Sequence, residues 1–156
     1  MVRLKFKDKQ VTGNVGLFFV CYKLSRRGWN VLPTSRNAKG IDILAYGSQG
    51  ERILTIQAKG FTGIESVGPF KKESEVLADF YIVVSHVYEN PMTYILTKDE
   101  IKSHLTPPKG DNVYWLNPEN YKLPEFFEKW DKIGFGFSEP SEIDQIDRID
   151  KEGVIR

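Results

Sequence analysis

Apolar residues at 17, 20, 21 and 24, within the stretch TGNVGLFFVCYKLSRR, follow helical spacing, and Gly28 closes the helix they predict over 12–27. Beyond it the pattern changes to short apolar runs divided by polar turns. WNVLPTS predicts a strand ending near Pro33, and SRNAKG a polar loop with two cations. Residues 41–46 and 52–58 predict two strands joined by GSQG, followed by a glycine-spaced loop over 61–68. KKESEVLADF predicts a helix that feeds the strongly apolar strand FYIVVSHV. TYIL predicts a shorter strand, and Thr97 with Glu100 has the spacing of a capping box opening a short helix. PPKGDN reads as a turn, NVYWL as a strand, and LPEFFEKWDKI as a helix with Pro124 in its first turn. The order α-β-β-β-α-β-β-α-β-α describes one mixed α/β domain over 1–137, with no internal repeat. Residues 138–156 form an acidic, aromatic-poor tail whose Ile143, Ile146 and Ile149 leave two options, a frayed end or a packed strip.

The hairpin GIDILAYGSQGERILTIQAKG concentrates the polar exceptions. A turn centred on Ser48 and Gln49 places Asp42 opposite Thr55. Opposed residues, and residues two apart on one strand, point to the same side, so Asp42, Thr55, Gln57 and Lys59 are expected to share a face. The diagonal from Asp42 to Gln57 then spans about 7 Å at Cβ or less, within reach of one bridging ion. Ile41, Ile43, Leu54, Ile56 and Ala58 fall on the other face, which is the expected core. Solvent-facing strand residues account for the same polar pattern.

Composition narrows the class. With 156 residues, 40% apolar and 13% aromatic, the chain can bury a real core. Cys21 is alone, so neither a disulfide framework nor a cysteine zinc site can be built, and a buried thiol in a reducing compartment is expected. No run approaches the roughly 20 apolar residues that cross a bilayer, and MVRLKFKDKQ lacks the apolar region of a secretory signal. These features predict a cytoplasmic protein without membrane contact. Charge is divided unevenly: residues 1–72 hold 13 Lys/Arg against 4 Asp/Glu, whereas residues 73–156 hold 9 against 17. The basic half suits a polyanion, since phosphate neutralisation dominates sequence-independent nucleic-acid affinity. Mutual neutralisation of the two halves is the alternative.

A helix with Gly13 and Gly16, then GW, a strand, a polar loop, G-I-D-I-L, a short turn and I-x-Q-A-K resembles the PD-(D/E)XK nuclease superfamily, which includes Holliday-junction resolvases. The resemblance spans residues 12–60 and extends loosely to Leu116. It implies a restriction-endonuclease-like core with a mixed central β-sheet flanked by helices, α-β-β-β-α-β in type, with extra C-terminal strands and helix. It further implies a Mg²⁺- or Mn²⁺-dependent endonuclease acting on DNA. Asp42 would be the principal metal ligand, Gln57 the second through its amide oxygen and the carbonyl of Ala58 a third. Lys59 would orient the attacking water or steady charge on the phosphate. Oxygen ligands of this kind suit Mg²⁺, which keeps several waters. Gln57 stands where an acidic residue is commoner, and Leu17 follows Gly16 where many relatives carry glutamate. These departures leave a one-metal enzyme, or a fold that binds nucleic acid without cutting it. Asn14 offers an oxygen on the same helix, or is a plain helix-end amide.

Ser35, Arg36, Asn37 and Lys39 precede Asp42 on a loop, and Lys71 and Lys72 follow the hairpin; each is a candidate phosphate contact or a solvated polar residue. Arg26 and Arg27 complement the helix dipole. His86 and His104 have no second histidine or cysteine at ligand spacing. Trp29, Trp115 and Trp130 stand in apolar contexts that predict core positions rather than base-stacking platforms. No phosphate-binding Gly-Lys loop, dinucleotide fingerprint or Gly-x-Ser-x-Gly elbow occurs, which removes the commoner ATPase, dehydrogenase and hydrolase readings. A third possible role is an interaction subunit whose acidic half docks a basic partner or a second copy of the chain, as in a homodimer.

Overall fold

In the computed structural model, described for residues 8–35, 39–50 and 52–137, the chain opens with Asp8 capping α1 (Lys9–Arg26). Its carboxylate accepts from the N–H groups of Gln10 at 2.8 Å and Val11 at 3.1 Å, two of the donors a helix start leaves unpaired. Thr12, Gly16, Val20, Cys21 and Leu24 form the buried stripe, and Gly28, at φ +82°, turns the chain out of the helix. Strands β1 (Asn30–Pro33), β2 (Ile43–Tyr46) and β3 (Ile53–Gly60) follow as an antiparallel meander. After a loop come the short β4 (Val67–Phe70) and a 3₁₀ turn over Glu73–Glu75; β5 (Phe80–Ser85) then pairs parallel to β3, and β6 (Met92–Thr97) antiparallel to β5. Helix α2 (Lys98–His104), β7 (Tyr114–Leu116), α3 (Pro118–Tyr121) and a 3₁₀ turn over Trp130–Lys132 complete the described chain.

The main sheet, ordered β1-β2-β3-β5-β6, divides the interior in two. On one face Ile43, Ala45, Ile56, Ile82, Val84 and Ile95 meet Val20, Cys21 and Leu24 of α1, with Trp29 and Trp130 closing the cluster. On the other, Tyr81, Val83, Tyr94 and Leu96 pack under Val67, Leu116, Ile101, Tyr121 and Phe126. The second covering reaches β5 and β6 but stops short of β1 and the start of β3, where Leu32 and Ile53 stay exposed. The fold is therefore a mixed α/β endonuclease-like one, a five-stranded mixed sheet flanked by helices.

Three local expectations give way. The segment 71–80 is no α-helix: Val76 and Ala78 are buried while Leu77 between them is 44% exposed, a strand-like alternation. Asp79 then locks the segment to β3, accepting from the N–H and hydroxyl of Thr55 at 2.8 and 2.9 Å. The loop expected over 61–68 ends in β4, which pairs with β7 as a separate two-stranded sheet. The stretch LPEFFEKWDKI is not an α-helix either, because its backbone covers the open edge of β6: Ile95 N–H donates to Phe126 O at 2.8 Å, and Glu128 N–H to Thr93 O at 2.9 Å. By contrast, the capping box at Thr97 and Glu100 forms with both reciprocal bonds. No helix among the described residues is long and apolar enough to cross a membrane. The tail at 138–156, with its three isoleucines, lies outside the described residues.

Candidate active site

A close backbone crossing brings the helix over the hairpin. A Cβ added at Gly16 would stand 2.6 Å from the Cα of Gly60, and one added at Gly60 would stand 2.9 Å from both the Cα of Gly16 and the carbonyl of Thr12. Only glycine at both positions allows α1 to lie on the end of β3. The crossing sets Lys9, Thr12, Gly13, Asn14 and Leu17 along one wall of a cleft of about 890 Å³, with Asp42, Ala58 and Lys59 at its base.

The hairpin register differs from the expected one by two residues. Leu44, not Asp42, faces Thr55, and the strands close through Gly47 N–H to Arg52 O at 2.9 Å, around a loop one residue further along than expected. Because the displacement is even, side-chain faces are preserved; a one-residue slip would have exchanged them. Ile43 pairs with Ile56, yet Asp42 N–H also donates to Ile56 O at 2.9 Å. Two residues thus oppose one, the count of a β-bulge, and the ladder ends there.

Where the ladder ends, the Asp42 carboxylate takes its place. Its Oδ2 accepts from Ala58 N–H at 2.9 Å and from the Gln57 side-chain amide at 2.8 Å. The direction of the Ala58 carbonyl follows from the alternation of β3. Phe61 N–H bonds to Val84 O on the β5 side, while Ile56 O bonds to Asp42 on the β2 side. Ala58, two residues from Ile56 and three from Phe61, therefore turns its carbonyl and N–H together toward the Asp42 side.

Asp42 is partly exposed, Gln57 is 6% exposed and Lys59 is exposed, with no hydrogen bond or ion pair among the described residues. A smaller cavity, also touching Lys59, adds Lys39, Gln57, Glu75 and Tyr81. Tyr81 stands beside Gln57 in the parallel register; burial pushes its phenol up to about 12 against an opposing hydrogen bond to the Leu77 backbone, and the neighbouring charges of Asp42 and Glu75 add smaller upward effects. It is a neutral wall of the site.

The proposed ligand set can be judged on this geometry. Asp42 Oδ1 has no partner among the described residues, and the Ala58 carbonyl faces the same edge. Gln57 presents its NH₂ to Asp42, so it would coordinate a cation only after its amide turned over. No cluster of three or more His, Cys, Asp or Glu side chains suited to a metal occurs among the described residues, and Leu17 lines the helix wall without a donor. The donors present fit one hard cation that retains most of its water.

Among the expected phosphate contacts, Lys39 lines the smaller cavity beside Gln57, and Ser35 is exposed on the approach to β2. Lys71 and Lys72 are exposed on the turn after β4 and line neither cavity. Arg36 and Asn37 lie outside the described residues. Lys9 and Glu65, which the sequence did not single out, line the larger cleft together with Trp115. Trp115 corrects an expectation: Trp29 and Trp130 are core residues at 3% and 2% exposure, but Trp115 belongs to neither core cluster. The period-two alternation of NVYWL was its available signal, since a strand with Tyr114 and Leu116 inward must turn Trp115 away.

No family model matches the chain, and no curated protein matches it. Among solved structures, the fold is similar to that of a bacterial homing endonuclease, I-Ssp6803I, with a TM-score of 0.53 and 16% sequence identity, covering 81% of this chain and 93% of that one. At this identity the likeness is one of fold, and it agrees with the endonuclease-like α/β architecture built above from the strands and helices.

Proposed function

We propose that the chain is a divalent-cation-dependent endonuclease of PD-(D/E)XK type, a QxK variant that hydrolyses phosphodiester bonds in DNA. The observation that carries this reading is the end of the β2–β3 ladder, where Asp42, Gln57 and the Ala58 backbone converge beside the unpaired Lys59. The endonuclease-like fold and the homing-endonuclease neighbour support it.

In this reading Asp42, the Ala58 carbonyl and, with its amide turned, Gln57 hold one Mg²⁺ or Mn²⁺. When bound, such an ion neutralises charge on the phosphate and acidifies a coordinated water. Lys59, with its ammonium free, pairs with a non-bridging phosphate oxygen and orients the water for attack. The water oxygen bonds to phosphorus, one P–O ester bond breaks, and the water's proton leaves to solvent or to the departing oxygen. Gln57 lacks the charge of the usual acid, so cation affinity rests mainly on Asp42.

The test is a nicking assay on supercoiled, linear, branched and single-stranded DNA in Mg²⁺ or Mn²⁺, for the parent chain, Asp42→Ala and Lys59→Ala. Asp42→Ala is expected to abolish cleavage and Lys59→Ala to lower it steeply; cleavage at the parent rate in both overturns the assignment. One observation favours a second reading, a module that binds nucleic acid without cutting it. Gln57 and Ala58 already hold Asp42 Oδ2 by hydrogen bonding, so the arrangement stands without an ion. That reading expects salt-dependent binding, indifferent to chelator, with no turnover.

A further inference from the structure

Strand β7 is three residues long and its alternation is strict. Leu116 is fully buried and Tyr114 packs against the second core, whereas Trp115 between them points into the large cleft. The other two tryptophans spend their indole N–H groups inside the protein, Trp29 on Gly134 O at 3.1 Å and Trp130 on Glu128 Oε2 at 3.1 Å. The indole N–H of Trp115 has no partner among the described residues. Half-buried, outside both cores and unpaired, this is an unusual way to deploy the largest apolar side chain.

Its backbone, by contrast, is held firmly. Thr106 N–H donates to Trp115 O at 2.7 Å and Trp115 N–H to Thr106 O at 3.4 Å, while Leu116 and Tyr114 pair with Val67 and Phe70 of β4. The ring is backed by Gly68, where an added Cβ would stand 3.1 Å from Cε3 and 3.4 Å from Cδ2 of the indole. An aromatic ring fixed in this way loses little freedom when a ligand lies on it.

The charges around it point to the ligand's chemistry. The described cleft lining carries Lys9 and Lys59 against Asp42 and Glu65, so its formal charge is balanced. A nucleic-acid strand entering this space gains little net attraction from charge and needs a contact of another kind. At about 890 Å³ the cleft falls in the range that encloses a drug-sized, hence mononucleotide-sized, ligand.

We propose that Trp115 is a stacking platform for an unpaired nucleobase, so that the cleft takes DNA whose strand is single or splayed beside the phosphate held at Asp42 and Lys59. In a duplex each base face is covered by its neighbours, and an indole set into a cleft meets such a face only when the base has left the stack. The inference rests on the cleft being a nucleic-acid site, and its test is separate from cleavage.

Fluorescence anisotropy in EDTA, with a labelled twelve-residue oligothymidylate and a twelve-base-pair duplex, measures binding to the parent chain, Trp115→Phe and Trp115→Leu. Trp115→Leu is expected to weaken oligothymidylate binding roughly ten- to a hundred-fold, with Trp115→Phe recovering most of the loss. Duplex affinity should change less than about threefold, and the salt slope should be unchanged, because stacking releases no counterions. Oligothymidylate should also quench the parent's tryptophan emission, an effect absent in Trp115→Phe, which keeps Trp29 and Trp130; this readout stands even if Trp115→Leu fails to fold. Equal single-strand affinity in all three chains, no single-strand binding at all, or an equal loss for single strand and duplex overturns the proposal. If cleavage fails while the Trp115 effect is present, the nuclease reading falls and this one stands; cleavage without the effect gives the reverse.

Discussion

Asp42 combines two duties that substitutions can separate. It ends a strand ladder by accepting from Ala58 N–H and the Gln57 amide, and it presents its second oxygen to the cleft. Asp42→Ala removes the acceptor and leaves a partly buried N–H and amide unpaired, at a cost of about 1–3 kcal/mol. Asp42→Asn retains an oxygen at the same reach and should lose clearly less stability, while sharing the loss of cleavage because the anion is gone. Lys59→Met touches no partner, so its stability should stay within about 0.5 kcal/mol of the parent. Its cleavage should fall about a hundred- to a thousand-fold, the usual effect of removing one charge-stabilising donor. Urea denaturation alongside nicking rates checks all three. If Asp42→Ala and Asp42→Asn are equally stable, the ladder-ending role assigned to Asp42 is wrong.

Among the elements, α1 depends on its crossing with β3. Gly60→Ala places a methyl group against helix backbone, which has no flexible end to give, and should cost about 1–3 kcal/mol by forcing α1 off the sheet. Activity should fall with it, since the same shift opens the wall above Asp42; unchanged stability would refute the contact. Helix α2 carries a pH-dependent tether. Burial resists ionisation of Glu100, but hydrogen bonds from Lys132 and Thr97 and the Lys132 charge outweigh it, holding the carboxyl below its ordinary value of 4.5. A lowered folded pKa stabilises above the unfolded value, and that contribution is lost as pH falls through the folded one. Stability of Glu100→Gln should therefore change less than the parent's between about pH 5 and 3, as acid denaturation monitored by circular dichroism would report. The elements also mark how far sequence reaches. α1, the hairpin and the capping box at Thr97 were legible because local periodicity and capping chemistry decide them. The parity of the Asp42 face was legible as well, although its register was not, since a loop slides in steps that side-chain alternation cannot see. The stretch LPEFFEKWDKI carries helical spacing, but the uncovered edge of β6 claims its backbone, and nothing local announces an edge lying thirty residues upstream. Trp115 departs from its expected place for a related reason: an apolar context names a type of neighbour, not the side of the strand.

Across the whole molecule, the proposed function divides binding from cutting. The first 72 residues carry the cationic excess, yet the described lining of the cleft is balanced between Lys9, Lys59, Asp42 and Glu65. On the proposed function, duplex affinity would then come from cations outside the larger cleft, such as Lys39, Lys71 and Lys72, which are exposed and free of ion pairs among the described residues. This division gives a quantitative expectation. Each phosphate contact neutralised by a cation contributes about −0.9 to the slope of log affinity against log salt on duplex DNA. Lys71→Ala with Lys72→Ala should therefore weaken duplex binding and flatten that slope by up to about 2, while leaving the rate of cutting at saturating DNA unchanged. Lys59→Met should do the opposite, removing the cutting rate while moving the slope by no more than about 1. Binding isotherms between 50 and 200 mM KCl, paired with single-turnover cleavage, separate the two behaviours. If the double lysine variant keeps the parent slope, the turn after β4 is not on the proposed DNA path.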